Sequence, residues 1–299
     1  MQHRPQSICD SHVHIVGEGE FFPQLADRAY TAGVAGLDSL REIAGPLGVT
    51  RFVLVQPSFY GSDNRCMLQA LNSLGERGRG VAVLEPESLT EQLLKDYTAR
   101  GVRGVRVNLY SPVGLPAAGE ADPGRMLKEF ERRLLNRGWH IEVIAPLALL
   151  GSIAGVIAGS EVPIVLNHYG LPGTNEPESP QGRILLDLLG MKHVWVKLSA
   201  PYRVLANSLA TTPPAGWLAA LLNAAPERCV WGSDWPHTPV IPKDTKPRAP
   251  IPYRALEYGR VLDEFLEALP ASLWRQILEE NPRRIYEFSK EFSSEFSGN

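Results

Sequence analysis

Eight short runs rich in β-branched residues recur along the chain, and between them lie stretches with helical apolar spacing. That alternation limits the possible folds more than any other feature. The runs read SICDSHVHI, RFVLVQPS, GVAVLEP, VRGVRVNL, WHIEVIA, VPIVLNH, HVWVKLS and RCVWGSD. They are apolar almost throughout, as strands covered on both faces must be. The intervening stretches include LDSLREIAGPL at 37–47, DNRCMLQALNSLGER from Asp63, LTEQLLKDYTAR from Leu89 and GRMLKEFERRLLNR from Gly124. SD before the second helical stretch and SLTEQ before the third offer capping side chains. Each run plus its helix has the size of a βα unit with a crossover. Eight such units predict a (β/α)8 TIM barrel.

The competing fold is an open doubly wound sheet. It would normally carry a glycine-rich phosphate turn after the first strand, and GEGEFF has the wrong spacing for one. No break in composition divides the chain, so one barrel domain spanning residues 1–299 is expected. The proline-rich TPVIPKDTKPRAPIP, Thr238 to Pro252, predicts a long loop after strand eight that covers the barrel mouth. After the eighth helix, SLWRQILEENPRRIYEF predicts an extra C-terminal helix pair broken at Pro282.

Composition excludes several classes of function. Of 299 residues, 44% are hydrophobic and 21% charged, with a formal net charge of -3, which leaves no basic tail for nucleic acid or an anionic membrane. No stretch is apolar for long enough to span a bilayer. The start, MQHRPQSIC, lacks the apolar core of a signal peptide. Cys9, Cys66 and Cys229 are odd in number, far apart and without metal-type spacing, which fits a reducing cytoplasm.

In such a barrel, chemistry sits where strands end and βα loops begin. His12 and His14 close the first strand and, being two apart, share a face. Ser58 and Tyr60 follow strand two, and Arg106 and Asn108 end strand four. Asn167, His168 and Tyr169 end strand six. Lys197, Ser199, Tyr202 and Arg203 follow strand seven, and Asp234, Trp235 and His237 follow strand eight. Burying so many polar groups at one end of an apolar barrel is costly unless they serve a site. Each also has a plainer reading. A lone histidine at a strand end is usually a hydrogen-bonded wall residue, and Asp234 could cap the segment after it. Arg103, three residues from Arg106, cannot share its face and reads as an ion-pair partner. His140 starts strand five, toward the barrel bottom, and reads as structural. His3 and His193 receive no role.

DSHVHI, NHYG, GSDWPH and NPRRIYEF, in that order, resemble the amidohydrolase superfamily. VQPSFYGSDN and GVRGVRVNL resemble in particular the branch that contains 2-pyrone-4,6-dicarboxylate lactonase and related lactone hydrolases. The resemblance runs from Asp10 to about Phe288. It implies that Asp234 takes a proton from the attacking water, while His12, His14 and His168 polarise the substrate carbonyl. It implies that Arg106 and Arg203 grip a carboxylate, with Ser58 a further donor and Tyr60, Tyr169, Tyr202 and His237 as walls. It also implies at most one divalent metal, zinc or manganese, on His12, His14 and Asp234, with His168 at the edge. A metal-independent reaction is the other reading.

Three departures from the family pattern bear on chemistry. Strand four carries Arg106 where many members have a metal-bridging lysine, so no binuclear site is expected. Strand five reads HIEVIAP, its histidine too early for a ligand and Glu142 too deep. After strand four the chain reads NLYSPVG, without the second arginine of the pyrone-dicarboxylate enzyme, so a single carboxylate or a different anion is expected on the substrate. The expected function is a cytoplasmic hydrolase that opens a small anionic lactone. A metal-dependent decarboxylase of an unsaturated or aromatic acid, or a non-catalytic barrel that binds a small acid, are the alternatives. Barrel helices often serve as dimer surfaces, so a homo-oligomer stays open.

Overall fold

The computed structural model describes residues 5, 7–110, 122–205, 207–239 and 248–289. Eight parallel strands follow one another around a barrel in chain order. They are β1 (Ile8–Val13), β2 (Val49–Val55), β3 (Gly78–Ala82), β4 (Val102–Asn108), β5 (His140–Ile144), β6 (Ile164–Leu166), β7 (Val194–Ser199) and β8 (Cys229–Gly232). Outside them run α1 (Leu37–Ala44), α2 (Arg65–Leu74), α3 (Glu91–Ala99), α4 (Pro123–Leu134), α5 (Leu147–Ala158), α6 (Pro180–Gly190), α7 (Ala215–Ala224) and α8 (Tyr258–Ala268). The (β/α)8 expectation holds. Six of the eight strands are buried at every position, which is why their sequences read as continuous apolar runs rather than alternating ones.

The helices pack by narrow apolar stripes. In α4, Leu127, Phe130 and Leu134 are buried while charged residues face out. Each such side chain contributes about 1.5–3 kcal/mol on burial. Thr90, in the SLTEQ signal, caps α3 by accepting the Leu93 N–H, Asp63 of the SD signal accepts the Arg65 N–H beside α2, and Asp122 caps α4 by accepting from Gly124 and Arg125.

The seam between β8 and β1 is joined by a parallel bridge at Val13–Trp235, with the Asp234 N–H donating to His12 O (2.9 Å) and the His14 N–H to Trp235 O (2.8 Å). Side chains reinforce it. Asp10 Oδ1 accepts the Ser233 N–H (2.9 Å) and the His12 N–H (3.1 Å), and Oδ2 accepts from the Tyr258 hydroxyl of α8 (2.8 Å). Burial pushes the Asp10 carboxyl up to about 6 despite these donors. At Gly232 a Cβ would lie 2.6 Å from His12 Cβ, so only glycine lets β8 approach this closely.

The C-terminal segment corrects one expectation. Pro282 breaks no helix. A π-helical turn, Gln276–Glu280, leads without interruption into α9 (Asn281–Ile285), with Pro282 in its first turn. There the missing N–H costs little, and the π turn absorbs the ring. The segment then delivers Tyr286 and Phe288 to the bottom of the barrel, where they pack with Cys9, Val53, Val55, Val81, Val165 and Val230. Arg103 reaches the same end and pairs with Glu287 at 3.0 Å. Of the loop expected over the mouth, residues 240–247 lie outside the described residues, as do Ser111 and Pro112 after β4.

Candidate active site

A β-bulge in β1 makes the site possible. Asp10 lies opposite Phe52 and Val13 opposite Leu54, so three residues of β1 advance against two of β2. Cys9 packs inside the barrel, and Asp10 points outward to α8. In a regular strand His12 would follow Asp10 outward. The extra residue turns it inward, and His14 follows.

Four predicted residues meet at the top of the barrel. His12 Nε2 and His14 Nε2 each lie 3.4 Å from Asp234 Oδ1, and His168 Nε2 lies 4.0 Å from the same atom. All four residues are buried. The other nitrogen of each imidazole is engaged. His14 Nδ1 sits 2.7 Å from the Val55 carbonyl and must donate to it, which leaves a lone pair on Nε2. His168 Nδ1 lies 2.8 Å from Ser199 Oγ, and His12 Nδ1 lies 3.3 Å from Lys197 Nζ. Asp234 and His168 hold left-handed backbone conformations, φ +61° and +53°, where the chain turns sharply off β8 and β6 to aim them inward.

The two oxygens of Asp234 differ. Oδ2 accepts from the Tyr202 hydroxyl and from Arg203 Nε at 3.4 Å. Oδ1 is buried and has no hydrogen-bond partner, like His12 Nε2 beside it. Burial alone would raise this carboxyl, but His168, Arg203 and the contacts from His14 and His12 outweigh it and hold Asp234 well below the usual carboxylate range. Burial lowers the imidazoles: His168 to about 3, and His12 well below the ordinary value. A carboxylate therefore stands beside the neutral imidazoles of His12 and His168 at neutral pH.

Above this cluster opens a cavity of about 410 Å³, whose lining includes His14, His168 and Asp234. Ser58, Arg106, Tyr202 and Arg203 also line it. Arg106 is 8% exposed and lines the cavity, with Nη1 bonded to the Gln56 carbonyl and Nε buried without a partner. His12 lies beneath the floor, fully buried. Tyr60, Tyr169 and His237 stand outside the lining. The Tyr60 hydroxyl accepts the Gly17 N–H, and the left-handed turn at Tyr169 (φ +56°) sends its ring into the core. His237 packs edge-on against Tyr202, behind the wall.

Sequence reasoning missed two features. Arg254, beyond the mouth segment, lines the cavity with its guanidinium 4.3 Å over the Tyr202 ring, tied by Nε to Thr238 O and by Nη1 to Ser208 O. The RAPIPYR stretch hinted at it, since that segment was expected over the mouth. Glu142 and Lys197 form a fully buried ion pair at 2.6 Å under His12. Lys197, expected after strand seven, lies within β7, and Glu142 is as deep in β5 as expected; the sequence did not show that the two pair.

The donor set fits a divalent cation. His12, His168 and Asp234 offer ligand atoms all within 4.8 Å of one another, and both Asp234 Oδ1 and His12 Nε2 are orphaned buried atoms. The lone pair of His14 Nε2 faces Asp234 Oδ1, and two acceptors so placed can be joined only by a proton, a water or a cation.

Residues 9–288 match the amidohydrolase family model. The chain is 30% identical over 289 residues to 4-sulfomuconolactone hydrolase of Rhizobium radiobacter, covering 94% of this chain and 90% of that protein. It is 28% identical to the 2-pyrone-4,6-dicarboxylate hydrolase of Comamonas testosteroni, with the same coverage. A Pseudomonas putida crystal structure assigned to 2-pyrone-4,6-dicarboxylic acid hydrolase superposes with a TM-score of 0.72 at 28% identity, over 96% of this chain and all of that one. The chain belongs to the amidohydrolase family.

Proposed function

We propose that the protein is a hydrolase that opens a small, anionic lactone by attack of water, with Asp234 as general base. The observation that carries this reading is Asp234 Oδ1: a buried, ionised carboxylate oxygen 3.4–4.0 Å from three imidazole nitrogens, on the floor of a cavity walled by guanidinium groups. Relatives that hydrolyse lactones over nearly the full length support the same reaction class.

The geometry divides the labour. Tyr202 and Arg203 occupy Oδ2, fixing the carboxylate plane and leaving Oδ1 as the basic atom. A water over His14 Nε2 and Oδ1 can donate one hydrogen to each lone pair, which turns its oxygen toward a bound carbonyl. Attack forms the new C–O bond as Oδ1 takes the water proton. The Ser199 hydroxyl, donating to His168 Nδ1, leaves His168 Nε2–H to donate to the oxyanion. Collapse breaks the ring acyl–oxygen bond, and the Asp234 proton passes to the departing oxygen. A divalent cation, when bound, would be held by His12, His14 and Asp234 with His168, and would polarise the carbonyl.

Among the described lining residues, Arg106, Arg203 and Arg254 face a single carboxylate, Asp234, which already neutralises Arg203. The remaining charge selects an anionic substrate. Arg106 binds its carboxylate, and Arg254, preorganised by Tyr202 and two carbonyls, meets a second anionic group. A pH-monitored screen of lactones with and without carboxylate or sulfonate groups, run with zinc, manganese and chelator in parallel, tests the proposal. Turnover confined to the anionic lactones is expected. Hydrolysis of neutral lactones alone, or of none, would overturn it.

A further inference from the structure

A lysine and a glutamate with no solvent exposure are costly inside a barrel, and replacing such pairs by apolar side chains is often neutral or stabilising. Lys197 of β7 and Glu142 of β5 are both 0% exposed, with Nζ 2.6 Å from Oε2. The pair lies directly below His12, between the catalytic cluster and the aromatic plug: the Tyr286 ring is 5.7 Å below Nζ, and His140 Nε2 is 3.8 Å from Glu142 Oε2. The mechanism above does not use it.

The contact with His12 is specific. Lys197 Nζ lies 3.3 Å from His12 Nδ1, and Glu142 Oε1 lies 3.6 Å from the same atom. Lysine has only donors, so the Nδ1 that receives its N–H keeps its lone pair. The imidazole proton then resides on Nε2, 3.4 Å from Asp234 Oδ1. His14 is held the opposite way by the Val55 carbonyl. Neighbouring imidazoles around one carboxylate thus have opposite tautomers, each set by a buried partner behind it.

We infer that the Lys197–Glu142 pair is a positioning unit for the base: it holds His12 with Nε2–H aimed at Asp234 Oδ1, and so fixes that oxygen on the cavity floor. Glu142 orients the ammonium, Lys197 sets the tautomer, and His12 transmits both to Asp234. When a cation takes Nε2, Glu142 Oε1 is the acceptor at hand for an Nδ1 proton. The inference concerns how the proposed base is held, and so rests on the hydrolase reading for its kinetic consequence alone.

The test is nitrogen NMR of the full chain labelled at histidine and treated with chelator, with assignment by His12→Gln. Wild type is expected to show His12 protonated at Nε2 and not at Nδ1, and Lys197→Met to move the proton to Nδ1, toward Glu142. The apolar pair Lys197→Met with Glu142→Leu keeps the volume and is expected to fold with an unchanged or higher Tm. Its kcat on the anionic lactone falls at least tenfold, with KM within twofold. A purely structural pair would leave the double variant as active as wild type, and that result overturns the inference, as does Nδ1 protonation in wild type. Should wild type open no lactone while the His12 tautomer still depends on Lys197, the hydrolase reading fails and the positioning role stands.

Discussion

Arg106 shows how much one side chain decides. It lies near the end of β4, is nearly buried, bonds the Gln56 carbonyl through Nη1, lines the cavity, and keeps its buried Nε without a partner. Burial lowers its pKa, but a guanidinium stays charged, and its planar fork matches a carboxylate in two bonds at once. Arg106→Lys keeps the charge and loses the fork. KM for a carboxylated lactone should rise about tenfold with kcat little changed, the pattern of lost uniform binding in steady-state kinetics. At this scale the sequence was most informative. His12, His14, His168 and Asp234 could be placed together because each ends a strand. Tyr60 and Tyr169 occupy equivalent positions yet turn away, because direction at a strand end depends on one or two dihedral angles that residue type does not set. The left-handed run His168–Tyr169 is the physical reason in the second case.

At the scale of elements, the C-terminal helical segment is the least expected part. Proline inside a helical pattern reads as a stop, but a π turn just before Pro282 carries the helix on. Its continuation plugs the barrel with Tyr286, which is fully buried and meets His140 edge-on at a 5.3 Å centroid distance. Tyr286→Ala would leave a cavity under Lys197 and is expected to cost about 3–5 kcal/mol, read from the denaturant midpoint at constant m-value. An unchanged midpoint would mean the segment is not part of the core. The β1 bulge was equally hidden. Sequence periodicity gives His12 and His14 a shared face, and the bulge is what makes that face the inner one.

The whole molecule follows from its apolar runs. A parallel barrel buries both faces of every strand, so eight continuous hydrophobic stretches with helical linkers left few other architectures open. The same property concealed the pairing of Glu142 with Lys197, because a strand without alternation does not reveal which residues face inward. The buried cysteines give a test of the assembled barrel. Burial pushes the Cys9 thiol up to about 12 and raises Cys66 and Cys229 as well, so all three stay protonated and covered. A disulfide reagent at pH 8 should label none in the native state and three after unfolding in guanidinium chloride. Fast native labelling of Cys9 would mean that the β8–β1 seam is open.

Everything in the proposed reaction converges on one oxygen, Asp234 Oδ1, and Asp234→Asn removes its basicity while keeping its shape. The decisive measurement is the steady-state rate of opening of an anionic lactone by this variant against wild type, with folding matched by circular dichroism. The rate should fall by roughly 10²–10⁴-fold, the usual worth of a positioned general base. A folded variant within a few-fold of the wild-type rate would show that the proton goes elsewhere and that Asp234 is not the base.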